Sequence, residues 1–296
     1  MSQEYPLRPA ETAGDVTIPG LSIHYAVWGA EHPPERTALM IHGITSNCQA
    51  WTIIGPALAA QGYRVIAPDL RGRGLSAKPP HGYGIPYHVD DLLGVCDALG
   101  LKQVAFIGHS LGAQIGLMFA AVHPQRVDRL VLMDAGAAIP ADWRATIAPS
   151  LKRLGVSYPS LEAYLAMLRQ SPAYQWNAFW DTYFTYDAEQ QPDGSVISRV
   201  PVHAIEEEAA VNSLQRLDGC YEAIHAPTLI VRAGYGTLGP DTGFILEPAE
   251  AGRMRQRIAD ARLVEIPAVN HYTMLTSGAM SEAILAFLAE TPQSAG

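Results

Sequence analysis

Six short runs of this chain are apolar almost from end to end: TALMIHG (37–43), YRVIAPD (63–69), QVAFIGH (103–109), DRLVLMDA (128–135), PTLIVRAG (227–234) and ARLVEIPAV (261–269). A strand with one face in water alternates apolar and polar residues. A run without alternation reads as a strand buried on both faces, the condition of a parallel sheet covered by helices on both sides. Helical stretches separate the runs, at 49–61, 87–99, 110–122, 247–259 and 279–290. Strand alternating with helix calls for right-handed crossovers and a doubly wound α/β sheet. Upstream, DVTIPGLSIHYAVWG (15–29) reads as two further strands around a turn at Pro19-Gly20, which brings the sheet to about eight strands.

One gap interrupts the rhythm. Residues 138–218 carry no convincing strand, are helical in tone and hold aromatics including Trp143, Tyr158, Tyr164, Tyr174, Trp176, Phe179, Trp180, Tyr183, Phe184 and Tyr186. A structureless loop of that length is implausible in a compact domain. The segment reads as a helical cap inserted after the fourth parallel strand. Residues 15–137 and 219–290 then form the core, and the ends, 1–14 and 291–296, read as loose.

Composition agrees with a large core: of 296 residues, 48% are hydrophobic and 17% charged. The net charge of −9 argues against non-specific binding to nucleic acid or an anionic membrane. The three cysteines, Cys48, Cys96 and Cys220, are too few and too scattered for a disulfide framework or zinc spacing, and read as reduced thiols. With no signal-peptide pattern at the start and no apolar run long enough to span a bilayer, the expectation is a cytoplasmic protein.

The chemistry concentrates in VAFIGHSLGAQIGL (104–117), where Gly108-His109-Ser110-Leu111-Gly112 joins an apolar strand to a helix. This G-x-S-x-G pattern sets a serine on a sharp strand-to-helix turn, its hydroxyl lifted above the carboxyl edge of the sheet. A serine is a poor nucleophile alone and needs a base within hydrogen-bond reach. Of ten histidines, His271 in PAVNHYTML has the right context, directly after the last strand and before the last helix. The tetrahedral oxyanion needs donors as well. Gly43 allows a tight turn past the first parallel strand, which would aim the Ile44 N–H above Ser110. The Leu111 N–H, first in the following helix, would be the second donor. His42 reads as ordering that loop.

MIHG, VIAPDLRGRGLS, FIGHSLGA, RLVLMDA and NHY together resemble the α/β-hydrolase superfamily, serine branch, from about residue 15 to 288. The resemblance implies an acyl-transfer hydrolase that uses Ser110, His271 and one acid, needs no cofactor, and carries a lid over residues 138–218. Dehalogenases and epoxide hydrolases of the superfamily carry Asp at the nucleophile position, where this chain has Ser110, so the resemblance implies neither activity. The acid departs from the common pattern. About three residues past Gly234, where most members carry it, this chain has Thr237, which cannot ionise. Asp134, at the end of the preceding strand, matches the placement in haloalkane dehalogenases and in some amide-cleaving hydrolases. Its role would be to fix the His271 tautomer and stabilise the imidazolium. Asp134 leads, with Asp241 and Glu247 as alternatives.

Other features carry plainer readings. Arg71, Arg73 and Lys78 lie in a Gly/Pro-rich loop that reads as a salt-bridged surface, with a carboxylate-binding rim as the alternative. Glu206-Glu207-Glu208 reads as a solvated cap face. The cap aromatics read mainly as lid core, with some facing the pocket. The expected partner is a small, largely apolar ester or lactone handled through an acyl-enzyme, with no metal, in a monomer or homodimer. An amide or carbon–carbon bond hydrolase with the same triad, or a ligand receptor with a vestigial triad, is the alternative.

Overall fold

The structure, a computed structural model, describes residues 5–290. In chain order its strands are β1 (Thr12–Ile18), β2 (Leu21–Trp28), β3 (Thr37–Ile41), β4 (Arg64–Pro68), β5 (Val104–His109), β6 (Val127–Met133), β7 (Ala188–Gln190), β8 (Val196–Ser198), β9 (Thr228–Ala233) and β10 (Ala261–Ile266). Among the described residues, eight of these form one sheet in the order β1-β2-β4-β3-β5-β6-β9-β10. The ladders from β4 through β10 are parallel, while β2 runs antiparallel to both β1 and β4. The fold is therefore the mostly parallel α/β sheet that the apolar runs predict.

Successive residues of β3 show why those runs do not alternate. Ala38 and Met40 pack into one hydrophobic cluster, Leu39 and Ile41 into another, one on each face of the sheet. The helices α1 (Ile54–Ala59), α2 (Ile85–Ala98), α3 (Leu111–Val122), α4 (Trp143–Thr146), α5 (Ala148–Leu151), α6 (Leu161–Arg169), α7 (Ala178–Asp187), α8 (Val202–Asn212), α9 (Pro248–Arg257) and α10 (Gly278–Ala289) complete the chain. Strand β10 departs from the expectation of burial on both faces. Among the described residues it has β9 alone as neighbour, and Arg262 and Glu265 are exposed on it. The helix expected at 49–61 is shorter, a 3-10 turn at Cys48–Trp51 followed by α1. Pro56 donates no N–H and is tolerated only in a first turn, so the helix starts just before it.

Two other expectations need correction. Residues 5–14 are not loose: the β1 ladder begins at Thr12, and Tyr5, Leu7 and Ala10 pack against the core. The buried Trp28 indole N–H donates to the carbonyls of Arg8 and Pro9, which ties this segment down. Residues 1–4 and 291–296 lie outside the described part. The segment 138–218 holds α4 to α8 as expected, but also the antiparallel pair β7 and β8. The signal was present in the sequence as Pro192-Asp193-Gly194. Gly194 takes φ +84°, and the Asp193 carboxylate accepts from the Ser195 N–H and hydroxyl at 2.9 and 2.7 Å.

This segment meets the loops at the carboxyl ends of the strands through specific polar contacts. Asn47 donates to the Tyr183 carbonyl, Arg153 to the Thr45 carbonyl, and Asn270 to the Ala173 carbonyl. The Tyr186 hydroxyl donates to Asp69 at 2.6 Å.

Candidate active site

Ser110 sits where β5 ends and α3 begins, with φ +57° and ψ −120°. Non-glycine residues avoid this region, and such strain persists where the surroundings hold it. The flanking glycines are what permit the turn. A Cβ on Gly108 would lie 2.1 Å from the Gly112 carbonyl oxygen, and one on Gly112 would lie 2.1 Å from that of Ile41. Backbone passes directly against backbone, leaving no room for a side chain at either position.

Two further strand ends meet this hydroxyl. His271 follows β10 and places Nε2 3.0 Å from Ser110 Oγ. Its Nδ1 lies 2.8 Å from Asp134 Oδ2, just past β6. The other Asp134 oxygen accepts from the Ala233 N–H at 3.0 Å, which fixes the carboxylate plane. Asp134 itself takes φ +53°. A carboxylate only accepts, so Nδ1 carries the proton, and Nε2 faces the hydroxyl as a lone pair. All three groups are buried, at 9% exposure for Ser110, 4% for His271 and 2% for Asp134. Asp241 and Glu247 are exposed, Glu247 as the residue preceding α9. Thr237, at the commoner acid position, donates its hydroxyl to the Thr146 carbonyl at 2.7 Å. The structure thus brings Ser110, His271 and Asp134 into one chain of hydrogen bonds and leaves the other two acids out of it.

The loop after β3 lies tight against the serine. A Cβ on Gly43 would come within 3.1 Å of Ser110 Cβ. Ile44 and Leu111 both line the cavity beside Ser110. Leu111 is the first residue of α3, so its N–H has no acceptor within the helix. His42 lies directly beneath. Its Nδ1 donates to the Gly43 carbonyl at 2.8 Å, and its Nε2 accepts from the Leu70 N–H at 3.0 Å. Complete burial lowers its pKa from 6.5 to about 4, so it bridges the two loops as a neutral ring.

Sequence reading missed most of what holds this loop. Arg73, expected on a surface, is fully buried and donates to the Ile44 carbonyl at 2.9 Å. Its partner is Glu208, likewise fully buried rather than solvated, which also accepts from His88 at 2.7 Å. Burial pushes the Glu208 carboxyl up, but Arg73 and then His88 outweigh it and bring it down to about 2. From the other side, Arg153 donates to the Thr45 carbonyl at 2.5 Å and pairs with Asp187 at 2.8 Å, again in full burial. Tyr164 and Ser198 donate to the same Asp187 carboxylate. His109, next to the serine, is buried too, and its Nε2 donates to the His271 carbonyl at 2.9 Å. Burial, then the neighbouring His271, pushes its pKa well below the usual histidine range. Charges this deep require partners, but a sequence does not say which distant residues supply them.

Ser110 separates two spaces. One is a cavity of about 440 Å³ lined by Leu111, Gln114, Ile139, Trp143, Asn212 and Ile245 among others, with no ionisable side chain among the described residues of its wall. The other is a small chamber of about 30 Å³ on the His271 side, lined by Tyr174, Trp180, Tyr183 and Phe184 among others. Trp176 belongs to neither; it stacks on Phe184 with its indole N–H on Asp181. Among the described residues no cluster of His, Cys, Asp and Glu suited to a metal ion occurs, and no helix is long and apolar enough to cross a membrane. Cys48 and Cys96 are buried, Cys220 is half-buried, and all three are free thiols.

Residues 39–277 match the family model of the alpha/beta hydrolase fold. A serine hydrolase-like protein of Danio rerio is 33% identical over 138 residues, 46% of this chain and 41% of that protein. A 2-hydroxymuconate semialdehyde hydrolase of Pseudomonas sp. (strain CF600) is 37% identical over 140 residues, 46% of this chain and 48% of that one. The chain thus spans less than half the length of these curated relatives. In solved structures the likeness is longer: the crystal structure of E-2-(acetamidomethylene)succinate hydrolase superposes with a TM-score of 0.80 over 94% of this chain and 99% of that one, at 24% identity.

Proposed function

The chain belongs to the α/β-hydrolase fold family, and from that premise we propose that it is a cofactor-independent serine hydrolase acting on a small, largely apolar ester or lactone through an acyl-enzyme. The hydrogen-bonded chain Ser110–His271–Asp134 carries this reading. Ser110 Oγ attacks the carbonyl carbon as its proton passes to His271 Nε2. Asp134 holds the ring in the required tautomer and stabilises the imidazolium. The Ile44 and Leu111 N–H groups receive the oxyanion. His271 then delivers its proton to the leaving oxygen, and water releases the acyl group by the same route in reverse.

The substrate class rests on the larger cavity. Its wall holds apolar side chains and the amides Gln114, Asn212 and Gln215, with no cation among the described residues to balance a substrate carboxylate. Arg71 and Arg73 are engaged elsewhere, with Asp91 and Glu208. Residues 138–218 act as a cap whose aromatics close the site against water. A panel of uncharged esters, lactones and amides with wild type and Ser110→Ala tests the reading, together with fluorophosphonate labelling. Turnover of esters or lactones, abolished by Ser110→Ala, and labelling at Ser110 are expected. Labelling elsewhere with turnover intact would reject it.

A further inference from the structure

Three buried polar atoms without a partner among the described residues belong to residues lining the same small chamber: the Trp180 indole nitrogen, the Tyr174 hydroxyl and His109 Nδ1. Trp180 and Tyr174 are each 1% exposed and His109 is 3% exposed. A buried donor left unmatched is costly, so its ordinary partner is a ligand or a water. The chemistry of the three is definite. Trp180 can only donate and Tyr174 can donate or accept. His109 already donates through Nε2 to the His271 carbonyl, so its Nδ1 is a lone pair.

Position adds a second constraint. His271 borders the small chamber, whereas Leu111 borders the large cavity; Ser110 and Ile44 border both. The leaving oxygen must take a proton from His271 Nε2, so it stands on the small side and the acyl group on the large side. At about 30 Å³ the chamber has room for one water and little more.

From this we infer that the chamber walled by Trp180 and Tyr174 is the leaving-alcohol and water subsite, and that it selects methyl esters of bulky, uncharged acids. The inference rests on the acyl-enzyme reading above. In the first step Ser110 Oγ bonds to the carbonyl carbon and its proton moves to His271 Nε2. The carbon–methoxy bond then breaks, the methoxy oxygen takes that proton, and methanol leaves. Water enters the same chamber, gives a proton to Nε2 and bonds to the acyl carbon. The bond to Oγ breaks, Oγ recovers the proton, and the acid departs. Methanol and water share what the chamber offers: an oxygen to accept from Trp180 and Tyr174, and an O–H.

The test compares methyl and butyl phenylacetate by acid release. It also follows the partition of the phenylacetyl-enzyme between added methanol and added butanol, read as the esters formed. Wild type is expected to favour the methyl ester in kcat/KM, and methanol in the partition, by at least about tenfold. Trp180→Ala should narrow both ratios by enlarging the chamber. Tyr174→Phe keeps the ring and should slow the methyl ester by roughly two- to tenfold through the lost hydroxyl. It gives an independent readout should Trp180→Ala fail to fold. Equal use of methyl and butyl groups by a turning-over enzyme would overturn this inference and leave the nucleophile assignment standing. Absence of both turnover and Ser110 labelling would overturn the two together.

Discussion

The carboxyl edge of the sheet and the segment that stands over it solve the problem of placing polar groups in different ways. At the sheet edge, Ser110, Asp134 and His271 each follow a strand, after β5, β6 and β10. Their positions come from backbone ladders that run the length of the fold, and their polar partners are one another and nearby main chain. Over the edge, helices α4 to α8 have no ladder to the main sheet. They are held by buried aromatic contacts around Tyr174, Trp180 and Phe184, and by fully buried charges, Arg153 with Asp187 and Glu208 with Arg73. The triad is thus placed by strand ends, whereas the segment above, and its hold on the loop beside Ser110, depends on a few buried pairs.

The largest effects are therefore expected at the strand ends, in activity rather than stability. Ser110→Ala should lower kcat by about 10⁴-fold or more with the denaturation midpoint near wild type. Asp134→Asn, which presents the wrong tautomer of His271, should cost about 10⁴-fold. Asp241→Asn, a change in an exposed loop, should cost less than about tenfold. A result in which Asp241 is indispensable and Asp134→Asn stays active would break the comparison, because it would move the acid off the strand end.

The same contrast governs what could be read from the sequence. The apolar runs fix strands because burial on both faces leaves no alternation, and a strand end followed by Gly-x-Ser-x-Gly, by Asp134 or by Asn270-His271 places its polar residue with little ambiguity. The buried charges were not legible. Glu208 lies in a run of three glutamates, the pattern of a solvated helix face, and its partners Arg73 and His88 are 135 and 120 residues away. Arg153 and Asp187 likewise meet only after the segment has folded. The aromatics were legible as buried but not as divided between packing and wall. Trp176 and Trp180 are four residues apart on the chain, yet Trp180 lines the small chamber and Trp176 does not.

The buried pairs give the intermediate effects. Asp187→Ala leaves the Arg153 charge uncompensated and frees Tyr164 and Ser198, and should cost about 3–5 kcal/mol of stability in urea denaturation. Because Arg153 also holds the Thr45 carbonyl, activity should fall under conditions where the variant is still folded. A variant as stable as wild type would show that the segment is held by its aromatic contacts instead, and would sharpen the comparison in their favour.

The smallest effect is a slope with pH, and it tests the junction between the two regions. His42 is held neutral beneath the Ile44 loop, its pKa lowered from 6.5 to about 4, and burial acts on His109 in the same direction. When pH falls below about 6.5, the unfolded chain takes up protons at these rings while the folded chain does not. Stability is thus fully present above about 6.5 and is lost progressively toward pH 4. Glu208, lowered from 4.5 to about 2, adds its loss only below about 4.5, so the window from 6.5 to 4.5 reports the histidines. His42→Asn keeps a donor where Nδ1 meets the Gly43 carbonyl, gives up the Leu70 N–H contact that Nε2 makes, and does not titrate, so it lowers stability at every pH without adding a slope. Urea midpoints measured across this window should fall less steeply in His42→Asn than in wild type. Parallel slopes would mean that the His42 proton is taken up equally in both states, and that the loop beneath Ser110 opens to water more readily than the contacts of the neutral ring imply.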